Sequence, residues 1–150
     1  MWTPADKALR VEDMLITVKG ASVGQVALKN LFGDPRTSED EFLKITIELS
    51  NVSDGKKVDY LTWQSGGFGS DFATLVDDKG NRYRKANFGS STTVVGGAGH
   101  ESIYPQKSIT DVLVFERPVT TATWLHLELE AENFDGKGKV RFEIPTGMIK

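Results

Sequence analysis

Leu43-Lys44-Ile45-Thr46-Ile47-Glu48-Leu49-Ser50-Asn51-Val52-Ser53-Asp54-Gly55-Lys56-Lys57-Val58-Asp59-Tyr60-Leu61-Thr62-Trp63 reads as two strands and the turn between them. Leu43, Ile45, Ile47 and Leu49 alternate with Lys44, Thr46, Glu48 and Ser50, the period of a strand with one face buried. A helix would scatter those four apolar residues around its circumference. The alternation stops at Asn51, and Ser53-Asp54-Gly55 accepts turn conformations. The run 58–63 then places Leu61 and Trp63 on one face and Tyr60 and Thr62 on the other. The expectation is a hairpin whose first strand is central in a sheet, with an exposed turn over 51–57 and Trp63 buried beneath an opposing sheet.

Outward from this stretch the same grammar continues. Residues 1–12 are a polar lead-in that is ordered if Trp2 docks. Two apolar runs, 14–18 and 23–28, are separated by Lys19-Gly20-Ala21-Ser22, a break that either moves the strand between sheets or carries a bulge. Residues 30–41 read as a polar loop. Residues 72–76 and 81–85 form a hairpin closed by Asp77-Asp78-Lys79-Gly80, with Gly80 in the left-handed position. The segment 87–106 is loop with one short strand. The nearly continuous apolar run 109–115 suits a strand buried on both faces, ended by Pro118. A closing hairpin sets Leu125, Leu127 and Leu129 against Val140, Phe142 and Ile144, with Glu128 and Glu130 facing Lys139 and Arg141.

Eight or nine strands, no helix, and turns every ~8–12 residues predict an all-β chain: an antiparallel immunoglobulin-like β-sandwich, with a closed barrel as the alternative. The length of 150 residues suits one domain, taken as 13–150 behind the lead-in. A net charge of −3 with dispersed Lys and Arg argues against nucleic acid as a partner. The absence of cysteine excludes disulfides, thiolate zinc sites and cysteine nucleophiles. No apolar run approaches the ~20 residues of a membrane-spanning helix.

Candidate chemistry is sparse. His100, beside Glu101, invites an acid–base reading that needs a positioned partner and a pocket; a solvated loop histidine is the plainer reading, and His126 reads as a surface histidine. Asp77 and Asp78 superficially resemble a calcium loop, yet the hairpin turn accounts for them and the spacing fails the EF-hand pattern. A variant would gather Asp71, Asp77 or Asp111 with loop carbonyls. Trp124 is the candidate for an exposed aromatic that could hold a sugar, set against packing on the lead-in. Asn51-Val52-Ser53 is a glycosylation sequon by pattern and a turn by position. The glycines at 66–69 and 96–99 lack the spacing of a phosphate loop. No serine stands in a nucleophile elbow, so no catalytic residue and no cofactor is expected.

The ordered set Ile47-Glu48-Leu49-Ser50-Asn51-Val52-Ser53-Asp54, Tyr60-Leu61-Thr62-Trp63, Leu75-Val76-Asp77-Asp78-Lys79-Gly80-Asn81-Arg82-Tyr83, Ile103-Tyr104-Pro105 and Val112-Leu113-Val114-Phe115-Glu116-Arg117-Pro118 resembles the bacterial immunoglobulin-like domains grouped as DUF4352. The ending Arg141-Phe142-Glu143-Ile144-Pro145-Thr146-Gly147-Met148-Ile149 resembles planctomycete-type members. The resemblance implies a non-catalytic, extracytoplasmic module of the periplasm or cell envelope, following an upstream signal or membrane anchor, and serving protein–protein contact or spacing. A second expectation is a binding module for carbohydrate or calcium using the loops at 64–71 and 87–106 with Asp77, Asp78 and Trp124. An enzyme built around His100 is the third.

Overall fold

The computed structural model describes residues 1–64, 72–89 and 91–150. The strands, in chain order, are β1 (Thr3–Pro4), β2 (Leu9–Val11), β3 (Met14–Gly24), β4 (Ala27–Lys29), β5 (Pro35–Thr37), β6 (Phe42–Asn51), β7 (Val58–Leu61), β8 (Ala73–Asp77), β9 (Arg82–Tyr83), β10 (Thr93–Val94), β11 (His100–Ile103), β12 (Ser108–Glu116), β13 (Trp124–Glu130) and β14 (Lys139–Pro145). Short 3₁₀ turns cover Ala131–Phe134 and Thr146–Met148. One sheet runs β1-β14-β13-β8-β9 and the other β12-β6-β3-β2; the described residues thus hold fourteen strands where eight or nine were expected, the additions being short ones such as β1, β2 and β5. A three-stranded patch, β10-β4-β5, and a ribbon, β11-β7, complete the set. Among the described strands pairing is antiparallel except that β1 adds to β14 in parallel, and an isolated parallel bridge joins Ala21 to Ile149.

The main core lies between the two large sheets. Leu43, Ile45, Ile47 and Leu49 of β6 meet Leu125, Leu127 and Leu129 of β13 and Val140, Phe142 and Ile144 of β14 there, all fully buried. This is the burial that strict alternation demands. In β12, Leu113 and Phe115 point into this core while Val112 and Val114 point the other way. Those two valines pack with Val26 and Leu28 in a second, smaller cluster, which explains a strand apolar on both faces. In β3 the register shifts between Val18 and Gly20. This bulge lets Val18 and Ala21, three residues apart, both face inward.

Several expectations need correction. The strands on either side of 51–57 do not form a hairpin: β6 is flanked by β3 and β12, so both its edges are taken, and β7 pairs with β11 instead. The β7 faces are inverted. Tyr60 is buried and Leu61 is 41 % exposed; the strand ends at Leu61, and the bend that follows turns Trp63 inward without reference to the strand's alternation. Asn51 does not belong to an exposed turn; it is buried, donating to the carbonyls of Lys56 (2.7 Å) and Ile103 (2.8 Å) and accepting the Ser53 N–H (3.0 Å). His100 lies in strand β11, not in a loop. The 30–41 loop contains β5.

Candidate functional site

A cleft of about 930 Å³ opens beside the second core cluster. Its floor is built on Asp111, the one acidic residue within the largely apolar run 109–115 of β12 and completely buried. A buried carboxyl must find donors, and this one finds four. The Tyr60 hydroxyl and the Thr62 hydroxyl (2.6 Å) donate to Oδ2, and the N–H groups of Ala98 (2.8 Å) and Val112 (2.7 Å) donate to Oδ1. Burial and then the Asp111 carboxylate push the Tyr60 phenol well above its ordinary value, so it stays a donor. A carboxylate offers about four lone-pair directions. With all four used, Asp111 is a tie and has no oxygen to offer as a base.

The tie needs glycine behind it. A Cβ on Gly97 would stand 3.2 Å from the Val94 carbonyl oxygen and 3.6 Å from Asp111 Oδ1, and Gly96 has φ +85°. The glycine-rich segment can therefore bring the Ala98 N–H onto the carboxylate. Gln64 secures the opposite side, with its amide donating to the Ala86 carbonyl (3.0 Å) and accepting the Val114 N–H (2.9 Å). The rim is cationic: Lys29, Arg82, Arg84 and Lys85 line the cleft. The Lys85 ammonium donates to the Trp63 carbonyl at 3.0 Å.

A second feature stands on the β4–β5 hairpin. Asn30 holds its tip: its Oδ1 accepts the N–H groups of Phe32 and Asp34, both at 2.9 Å, and its Nδ2 donates to Asp34 Oδ2 at 3.2 Å. Backbone bonds from Asn30 N–H to the Asp34 carbonyl and from Gly33 N–H to the Asn30 carbonyl, both 3.0 Å, close the loop, with Gly33 at φ +82°. The frame presents Leu31 and Phe32, 75 % and 86 % exposed.

The residues singled out from sequence are not brought together. Asp77 is buried within its own hairpin: Oδ1 accepts the N–H groups of Lys79 and Asn81, and Oδ2 accepts the Asn81 amide and the Tyr83 hydroxyl, at 2.7–2.9 Å. Burial raises its pKa, but these donors outweigh that and hold it at about 2. The Asp78 carboxylate accepts the Thr123 N–H and hydroxyl, both 2.9 Å, which lower its pKa. Neither lines the cleft. Trp124 stacks on His126 at 3.9 Å between ring centroids, and Trp2 covers the other face of the same ring at 3.8 Å. Trp124 and Trp2 of the lead-in thus sandwich the His126 ring. His100 is exposed, on the strand facing Leu61 of β7. Asp71 and all of the 64–71 loop except Gln64 lie outside the described residues.

Sequence reasoning missed the cationic rim and the Leu31–Phe32 tip. The signals were present: Arg82, Arg84 and Lys85 closely spaced, and an apolar pair framed by Asn30 and Gly33-Asp34.

No family model matches the sequence, and no curated protein matches it. Solved structures do. The crystal structure of the yjhA protein from Bacillus subtilis is similar over 100 % of both chains, with a TM-score of 0.61 and 13 % identity. That of a "putative lipoprotein (ycdA)" from Bacillus subtilis subsp. subtilis str. 168 is similar over 95 % of this chain, with a TM-score of 0.57 and 13 % identity; this chain spans 39 % of that one. At this identity the likeness speaks for the fold: the chain shares its all-β sandwich with these two Bacillus proteins.

Proposed function

We propose that this chain is a non-catalytic, extracytoplasmic β-sandwich module that works by protein–protein contact through the tip of the β4–β5 hairpin. The observation that carries the reading is the Leu31–Phe32 pair, exposed yet framed by five hydrogen bonds. An apolar pair in water gains nothing for folding, and its fixed geometry lowers the entropy lost when it enters a partner's pocket. Aromatic residues so placed are typical anchors of interfaces. The fold shared with a protein described as a lipoprotein supports a place outside the cytoplasm, and the ordered motifs quoted above support kinship with DUF4352 domains. A saturated Asp111 supports binding in place of catalysis.

The test is a photocrosslinking benzoylphenylalanine placed at position 32 in the producing cells, with the same group at Lys137 as a surface control. The expected result is a discrete protein adduct at position 32, absent from the control and from a Leu31→Ser variant, and protein recovered outside the cytoplasm on fractionation. Equal labelling at both positions removes the contact reading; cytoplasmic recovery removes the extracytoplasmic one.

A further inference from the structure

The cleft borders the base of the β4–β5 hairpin, with Lys29 in its lining, and has a chemistry distinct from that of the apolar tip. Among the described residues four lysines and arginines line it, Lys29, Arg82, Arg84 and Lys85, with one acidic residue, Asp111, whose oxygens are spent on protein donors. These cationic residues are gathered in a chain with a net charge of −3, and the Glu116 carboxylate stands beside them, accepting the Arg84 N–H at 2.8 Å. Beside the cations the wall is mixed, with Thr62, Thr93 and Asn87 among its polar members; its apolar part is Phe88, Val94 and Val112, which belong to, or pack against, the second core cluster. The volume of about 930 Å³ is that of a small-molecule site, which typically spans ~300–1,000 Å³.

We propose that the cleft binds a small organic anion, a molecule bearing a carboxylate, phosphate or sulfonate group on an apolar body. The anionic head pairs with the rim, where Arg84 and Lys29 are exposed on separate strands or their extensions. The apolar body rests on Phe88 and Val94. A neutral sugar makes little use of such a rim, and a cation is repelled by it. Arginine adds a planar fork matched to two oxygens of one head group.

The probe is anilinonaphthalene sulfonate, titrated into isotopically labelled protein and followed by backbone amide shifts, with citrate and inorganic phosphate as competitors. Shifts are expected to concentrate in residues 82–89 and 93–99. Lys29→Glu with Arg84→Glu is expected to weaken binding by about tenfold or more. Lys7→Glu with Lys137→Glu, an identical change in net charge at exposed positions elsewhere, leaves it within about twofold. If the first double variant fails to fold, Lys29→Gln with Arg84→Gln decides the matter and is expected to weaken binding by a smaller factor. Displacement by citrate, by phosphate, or by both identifies the preferred head group. The proposal is overturned by shifts centred elsewhere, by no shift with any of the three anions, by equal weakening in the two double variants, or by neutral anilinonaphthalene binding as tightly as the sulfonate.

Discussion

Asp77 shows at the scale of one residue how a carboxylate in a turn is used by the chain that carries it. Its four donors come from residues two to six positions further along, so the interaction is local and folds with the hairpin. The folded carboxyl is held at about 2 against an ordinary 3.8. A depressed pKa contributes stability that is fully present above the unfolded value and is lost as pH falls through the folded one. Asp77→Asn cannot titrate there. The difference in melting temperature between the native chain and this variant should therefore hold steady at pH 5 and above and shrink between about pH 4 and 2. A gap that does not narrow on acidification refutes the assignment of the depressed carboxyl to Asp77. Asn51 teaches the complementary lesson. It was legible as a turn residue and a sequon, but its burial depends on the Ile103 carbonyl, 52 residues away.

Among the elements, the β13–β14 hairpin was the most legible. Leu125 faces Ile144, Leu127 faces Phe142, Leu129 faces Val140, and Glu128 and Glu130 face Arg141 and Lys139, as alternation and charge sign require. The Glu128 carboxylate accepts from Arg141 Nε at 2.8 Å and Lys139 Nζ at 3.0 Å. The short β1 strand was not legible. Two residues carry no period, and its place depends on a surface made by distant strands. Thr3 pairs with Phe142, the Ala5 N–H donates to the Glu143 carbonyl at 2.9 Å, and Trp2 completes a Trp–His–Trp stack whose His126 also bonds Glu143 at 2.9 Å. Trp2→Ala should cost about 1–2 kcal/mol in chemical denaturation. Amide exchange should quicken at Thr3 and Ala5 while β6 and β12 stay protected. Quickening spread evenly over both sheets would show that the stack supports the whole molecule and does not act as a latch for β1.

For the whole molecule, the decisive feature is that one strand serves two cores. Asp111 sits where β12 passes between them and ties it to Tyr60 of β7, to Thr62 and to the glycine-rich segment before β11. Asp111→Ala strands two buried hydroxyls and two N–H groups, and a loss of roughly 3 kcal/mol is expected. Tyr60→Phe removes one of the four donors and the long contact from the Trp63 N–H at 3.3 Å, and should cost about 1 kcal/mol. Equal and small losses in both, read from denaturant midpoints, would mean that water replaces the tie. The same network explains why the cleft escaped the linear reading. Lys29, Arg84 and Asp111 are separated by tens of residues, and no local pattern announces that they border one space.

What the sequence by itself determined is the longer strands, the buried faces of β6, β12, β13 and β14, and the all-β class, because the alternation of side chains is a property of a few consecutive residues. Only the tertiary structure decided which strand pairs with β6, which way Tyr60 points, and that the cations of 82–85 share a cleft with a saturated Asp111. Those outcomes are set by which edges and donors remain free once the sheets have packed, and that competition is settled between residues far apart in the chain.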